Sequence, residues 1–391
     1  MKSAFFTLLS SILLLVGCAE PETNNSAGTA EPEVAEVPKE PYYRRYEGTV
    51  NGDSVVVHWH QFGGLVYAAF YHQHKGRKIE LFNWEDTVKN GKDFYLTERP
   101  VTEFGTETDP HWMVSVAGNK LTGKWISGDT IRTAPITLTE AYPAGSYQFG
   151  LLYLVDSASL LHDKPEPMAR TTYLSVIPQS SFPATTRSFL LPLLSRQFGC
   201  KDERADLQTC IAALNKAYFQ NYRAEVSQWD TSGLSDPGFS SPTFNYSSDR
   251  YIRINYNSND LLVLEDFMSD YSGGAHGNYA SSFLNIDLKA QKVLSLNDII
   301  TASDTARLIP ILQKQAAAHF RLKTGETLQD YLFESKVPLT GNFYITHTGI
   351  TFLYNPYEIA AYAVGQVNIF VPYSSIRDLL TPTFRTRLSI Q

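Results

Sequence analysis

The stretch Asp270-Tyr-Ser-Gly-Gly-Ala-His-Gly-Asn278 separates two runs of different texture. Before it, Leu261 to Leu264 is wholly apolar. After it, Ser281 to Leu288 sets Phe283, Leu284 and Ile286 against Asn285 and Asp287. Short runs of this kind bounded by turn residues read as strands, so the stretch reads as an irregular connection between two strands. Its three glycines permit positive φ and close approach of other groups to the backbone. They flank His276, the side-chain type whose charge changes most readily near neutral pH. Two readings stay open: a recognition surface, or a glycine turn whose histidine is held by a hydrogen bond.

On either side of that stretch, strands mix with helices. Tyr147–Val155, Thr172–Ile177 and Arg250–Asn255 read as strands, and Asn257-Ser-Asn-Asp260 as a hairpin turn. Between them, Arg187–Phe198 has helical spacing despite Pro192. Over Ala205–Val226, Leu207, Ile211, Leu214, Tyr218 and Tyr222 form one apolar stripe. A further helix is expected from near Ser303, with Pro310 kinking or delaying it. Phe343–Thr346 and Ile350–Leu353 read as a hairpin, Asn355-Pro-Tyr-Glu358 as a turn, and Ser374–Leu380 as a short helix. The expectation for 143–391 is an α+β domain, an antiparallel sheet with segregated helices.

Upstream, residues 42–141 have a different rhythm. Asn51-Gly52, Gly63-Gly64, Lys75-Gly76, Asn90-Gly91, Gly118-Asn119 and Gly128-Asp129 punctuate seven short β-rich runs. This spacing predicts a small all-β meander closed into a barrel or sandwich. A join near 139–146, at Pro143 and Gly145, would separate two independently folding units. His58 and His60 share one strand face, and His72 and His74 repeat the spacing. Zinc ligation is conceivable there, but the reading adopted is solvated histidines on a polar face. Trp59, Trp84, Trp112 and Trp125 read as core of the small domain rather than a sugar platform.

The chain has 391 residues and a formal net charge of −7, a balance poorly suited to nucleic acid. Lys2 and the apolar run Ala4 to Val16 read as a signal peptide over 1–17, ending in Leu15-Val-Gly-Cys18. Small residues before a cysteine resemble a bacterial lipobox, with Cys18 lipidated. Residues 18–41 lack aromatics and read as a disordered tether. Under the sorting rules of such lipoproteins, Ala19 after Cys18 favours an outer membrane, and the expected partner is the lipid bilayer. Cys200 and Cys210 then remain, and an exported chain predicts their pairing as a disulfide. No cofactor or metal is expected.

Tyr271-Ser-Gly-Gly-Ala-His-Gly277, Asn285-Ile-Asp287, Leu296-Asn-Asp298, Phe352-Leu-Tyr-Asn-Pro-Tyr-Glu358 and Val371-Pro-Tyr373 together resemble the RsiV/PdaC-type extracytoplasmic module. That module occurs in lysozyme-sensing anti-sigma factors, beside the catalytic domain of peptidoglycan deacetylases, and in lipoproteins. The resemblance covers about 143–391. The sequence shows neither an anti-sigma factor's membrane-spanning segment nor a deacetylase's aspartate with paired metal histidines. What the resemblance implies is a non-catalytic envelope module that binds or senses a peptidoglycan-type glycan or a lysozyme-like protein. The ligand-binding candidates are Tyr271, Ser272, Gly273, Gly274, His276, Asn355, Tyr357 and Glu358. One alternative is a cell-wall hydrolase with His276 and Glu358 as acid and base. Another is a purely structural envelope lipoprotein.

Overall fold

The computed structural model describes residues 40–83, 88–89, 93–100, 109–160, 168–202, 206–228 and 244–390. Cys18, the leader, most of the tether and Trp84 lie outside the described residues. Among the described residues, eight antiparallel strands close into a barrel. They are β1 (Tyr42–Val50), β2 (Asp53–Phe62), β3 (Leu65–His72), β4 (Ile79–Phe82), β6 (Asp93–Pro100), β7 (His111–Ala117), β8 (Lys120–Ile126) and β9 (Thr133–Glu140). A short β5 (Val88–Lys89) pairs with β6 off this ring. β9 closes onto β1, with Tyr46 opposite Glu140 and Val50 opposite Ile136. Closure removes the exposed edges. Gly48 lies on the seam, where a Cβ would run into the Thr137 carbonyl, so glycine is required there.

The barrel interior is filled by Val55, Val57, Trp59, Phe70, Leu96 and Trp112 among others. Trp112 and Trp125 donate their indole N–H groups to one oxygen of Glu98, at 2.5 and 2.9 Å. Burial pushes the Glu98 carboxyl up to about 7, against the pull of the two indoles. The reading of the tryptophans as core holds for Trp59 and Trp112, both fully buried.

Gly150 pairs with Tyr42, so the same sheet continues beyond the barrel. It runs through β10 (Phe149–Ser159), β11 (Met168–Pro178), β12 (Tyr246–Ser258), β13 (Leu261–Ser272), β14 (Asn278–Asp287) and β15 (Lys292–Val293). α1 (Ala184–Phe198) and α2 (Leu207–Val226) pack on one face through Leu190, Leu194, Phe198, Leu207 and Ile211. One detail differs from the expected antiparallel sheet, because β11 and β12 are parallel. The two helices carry the chain back to the same end of the sheet, which a parallel pair requires. Cys200 and Cys210 are joined as a disulfide between α1 and α2, with Cα atoms 5.9 Å apart. Asp206 caps α2, accepting from the Thr209 amide at 3.0 Å.

The chain ends in a three-stranded sheet, β16 (Phe343–Ile345), β17 (Gly349–Tyr354) and β18 (Val367–Pro372). α3 (Thr305–His319) covers it, burying Leu308, Leu312 and Ala316 in the core that holds Phe352 and Ile369. α3 begins five residues before Pro310 instead of being delayed by it. Near a helix start, a proline removes only one intrahelical bond, and the packed stripe outweighs that loss.

Candidate functional site

β13 and β14 form a long hairpin whose loop is 273–277. Gly273 and Gly274 take φ of 86° and 96°, the left-handed region that glycine enters without strain. The Tyr271 hydroxyl donates to the Gly274 carbonyl at 3.1 Å, while Ser272 ends β13 on the surface. Against this tip lies the turn 355–358 and the segment after it. The exposed His276 ring stacks on Tyr362, with centroids 4.0 Å apart and planes within 20°. Its Nδ1 lies 3.0 Å from the Gly277 carbonyl, and its Nε2 lies 3.4 Å from the Tyr357 hydroxyl. Tyr362 donates to the Gly277 carbonyl at 2.7 Å, and Tyr279 meets Tyr362 edge-on at 6.0 Å. Tyr357 holds a φ of 70° and is 55% exposed. A non-glycine residue in that region is strained, and such strain gathers at recognition sites. Two tyrosine rings, Tyr362 and Tyr357, therefore lie against one imidazole at the surface, and Tyr279 backs Tyr362.

Asn355 and Glu358 do a different job. The Asn355 side chain accepts from the Ser281 amide at 2.8 Å and donates to the Ser281 carbonyl at 3.2 Å. Glu358 accepts from the Asn355 backbone amide at 3.0 Å and so braces the turn. Asn285 repeats this clamp in the other direction, donating to the Phe343 carbonyl at 2.8 Å and accepting from the Ile345 amide at 3.0 Å. Two motif asparagines thus fasten the large sheet to the three-stranded one, each side chain standing in for a missing strand partner. Asn285→Ala should lower stability by roughly 2–4 kcal/mol, because each orphaned buried group costs about 1–3. Urea unfolding measures it. A loss under about 1 kcal/mol would mean that the clamp is not what joins the sheets.

Further along the same hairpin, around Glu265 of β13, is a buried charged cluster that sequence reading missed. Glu265 is 2% exposed. Its carboxylate lies 3.2 Å from Arg253 and 3.8 Å from Lys78, and it accepts from Asn255 at 3.0 Å and from Ser281 at 2.7 Å. Burial opposes ionisation, but the two cations and these hydrogen bonds together hold Glu265 well below the usual carboxylate range. Lys78 is raised well above its ordinary value. Burial works against that rise, and the Glu265 and Glu80 carboxylates drive it. Arg253 also sits 3.6 Å from the centroid of the Tyr67 ring, a cation–π contact. The available hint was the placement of Glu265 inside an apolar strand run, where a charge needs a partner. Nothing in the sequence says that Lys78 supplies one.

Two of the four histidines of the barrel need a correction. His58 and His60 are fully buried, not solvated. β2 is covered on both faces: its odd-numbered residues fill the barrel, while His58 and His60 face the second half of the chain. His60 Nε2 accepts from the Ile254 amide at 3.0 Å, and His58 Nδ1 is 2.9 Å from the Tyr43 hydroxyl. His74 is exposed and His72 half-buried. Among the described residues, no group of three or more potential metal ligands occurs.

The molecule is thus a mixed α+β protein with a barrel at its N-terminal side and a surface cluster of aromatic rings on its second half. Residues 297–374 match the family described as "Protein of unknown function (DUF3298)", so the chain carries a DUF3298 domain there. The match includes Asn355, Tyr357 and Glu358 but not His276. A crystal structure of a DUF3298 family member from Bacteroides fragilis is 26% identical, covering 63% of this chain and 98% of that one, with a TM-score of 0.56. A DUF3298 family protein from Pseudomonas aeruginosa is 17% identical over 61% of this chain and 97% of that one, with a TM-score of 0.44. No curated protein matches.

Proposed function

We propose that this protein is a lipid-anchored, non-catalytic recognition protein of the bacterial cell envelope, and that His276, Tyr357 and Tyr362 contact a peptidoglycan-type glycan. The observation that carries this reading is the exposed His276–Tyr362 stack beside the strained, exposed Tyr357. Flat rings with polar edges suit sugars, whose apolar C–H faces stack while hydroxyls find donors and acceptors. The likeness of the quoted motifs to the RsiV/PdaC-type module points to the same envelope setting. Tyr271, Ser272, Gly273 and Gly274 shape the tip, and Asn355 and Glu358 support it. Glu358 spends its carboxylate on Asn355, which argues against an acid–base pair with His276.

The test is co-sedimentation of the mature chain with purified peptidoglycan sacculi, with lysozyme as a protein competitor. Saturable binding lost in Tyr357→Ala supports the reading. Binding to lysozyme alone would replace the glycan by a protein partner, and binding to neither would overturn the recognition role.

The anchor is tested separately. Cys18→Ser should move the protein from the membrane fraction to the soluble fraction, because the acyl chains of a lipoprotein provide its stable attachment. A Cys18→Ser protein that stays acylated and membrane-bound would contradict the assignment.

A further inference from the structure

We infer that the barrel serves to fix the geometry of the hairpin-tip site, and that Tyr67 and Lys78 are positioning residues for it. An unbroken path of polar contacts connects the two. In the barrel, the Tyr67 hydroxyl lies 3.1 Å from Glu265 Oε2, and Lys78 Nζ lies 3.8 Å from that same oxygen. The other Glu265 oxygen accepts from the Ser281 hydroxyl at 2.7 Å. That hydroxyl accepts from Gln366 at 3.1 Å, and Gln366 also donates to the Asn355 side chain at 3.1 Å. Asn355 clamps the Ser281 backbone and is braced in turn by Glu358, beside Tyr357. Gln366 stands four residues after Tyr362, the ring on which His276 stacks.

Each link has little freedom. Glu265, Tyr67, Lys78 and Ser281 are all buried, and Arg253 packs on the Tyr67 ring. A buried charged network of this kind holds one arrangement, because any shift leaves a charged group unpaired in a poor solvent. Glu265 and Ser281 are diagonal neighbours across β13 and β14, whose facing pairs are Glu265–Phe283 and Phe267–Ser281. Holding Ser281 holds the Asn355 clamp, and with it the 355–358 turn that lies against the tip. Lys78 ends the connection from β3 to β4 and immediately precedes Ile79, which pairs with Phe70, so its backbone is anchored to the closed ring. The barrel thereby adds a second fixed reference to the one that β12 gives the hairpin. This assignment does not depend on what the tip binds.

The test uses the full mature chain and Tyr67→Phe, which keeps the ring against Arg253 and removes only the hydroxyl. Lys78→Met is the second variant, and Lys78→Arg should restore the charge and the behaviour of the parent. The readouts are amide hydrogen exchange at Ser281 and the NMR resonances of the Asn355 side-chain amide and the His276 ring. We expect exchange at Ser281 to rise at least tenfold and the Asn355 and His276 resonances to shift, with the α1 and α2 amides unchanged. A purely structural role would loosen the interface uniformly or leave the tip unaffected. Overturning results are changes confined to the barrel and Glu265, or equal acceleration across the second half of the chain. Failure here with intact peptidoglycan binding removes only the barrel's role.

Discussion

Glu265→Gln should cost about 3–5 kcal/mol of stability, the largest loss expected of a single substitution in this molecule. The variant keeps size and shape and removes only the charge. It leaves Arg253 and Lys78 buried beside an uncharged amide; Lys78 retains Glu80 at 2.9 Å, whereas Arg253 loses its carboxylate. Breaking a buried pair by neutralising one member is costly for this reason, even where the intact pair adds little. Because Glu265 is held well below the usual carboxylate range, its contribution is full at neutral pH, declines as the pH falls below the ordinary carboxylate value of about 4.5, and is gone only in strong acid. Denaturant unfolding at pH 7 measures the loss. A cost below about 1 kcal/mol would mean that water reaches the cluster and screens it.

The second large effect is acid sensitivity. Burial, with Arg253 as the next cause, pushes His60 down to about 3 from 6.5. Burial, with Arg45 and His60 behind it, holds His58 well below the same value. The groups facing them are Tyr43, Tyr71 and Arg45 around His58, and Tyr67, Arg253 and Glu265 around His60. Below the unfolded value the unfolded chain takes up protons that the folded chain refuses. Stability is therefore full above about pH 6.5 and falls as the pH drops toward the folded values. His60 contributes about 1.4 kcal/mol per pH unit in that window, so lowering the pH from 6.5 to 4.5 should remove roughly 2–3 kcal/mol through it, and His58 adds to the loss in the same direction. That is a large share of the stability of many domains. His72 and His347, both lowered chiefly by burial, act in the same direction. Thermal melts from pH 7 to 4 should fall steeply, and His58→Gln/His60→Gln should flatten the slope. Equal slopes for the two proteins would show that these histidines do not set the acid limit.

These same histidines show where the sequence stops being readable. Along β2 they alternate with Val57 and Trp59, as on any strand with one wet face. What decides their fate is the second half of the chain, which covers that face at Ile254 and Asn257, nearly 200 residues away. Local patterning carries no trace of such a contact. The barrel strands themselves were legible, because paired glycines and Asn-Gly steps mark their ends. β1 was not, since Arg44, Arg45 and Gly48 break its apolar alternation. Arg45 is nonetheless buried, donating to the Asn257 carbonyl at 3.0 Å. The hairpin tip was legible as a connection between strands, and its pairing with the 355–358 turn followed from neither spacing nor periodicity. Tyr362, the ring under His276, sits in Ala360-Ala-Tyr-Ala-Val364, where nothing marks it. Independent folding of 42–141 and 143–391 remains an expectation to test by expressing the fragments. The second would then expose Arg253 and Glu265 without Lys78.

The central claim, that the hairpin tip is a recognition surface and not a structural turn, is tested most directly by His276→Ala, read by thermal melting and sacculus binding in parallel. His276 is exposed and its stacking partner is held by other contacts. Stability should change by no more than about 0.5 kcal/mol, the range of a surface substitution, while binding to peptidoglycan falls severalfold. A loss of about 1–3 kcal/mol, with binding per folded molecule unchanged, would contradict the account and make His276 a structural residue.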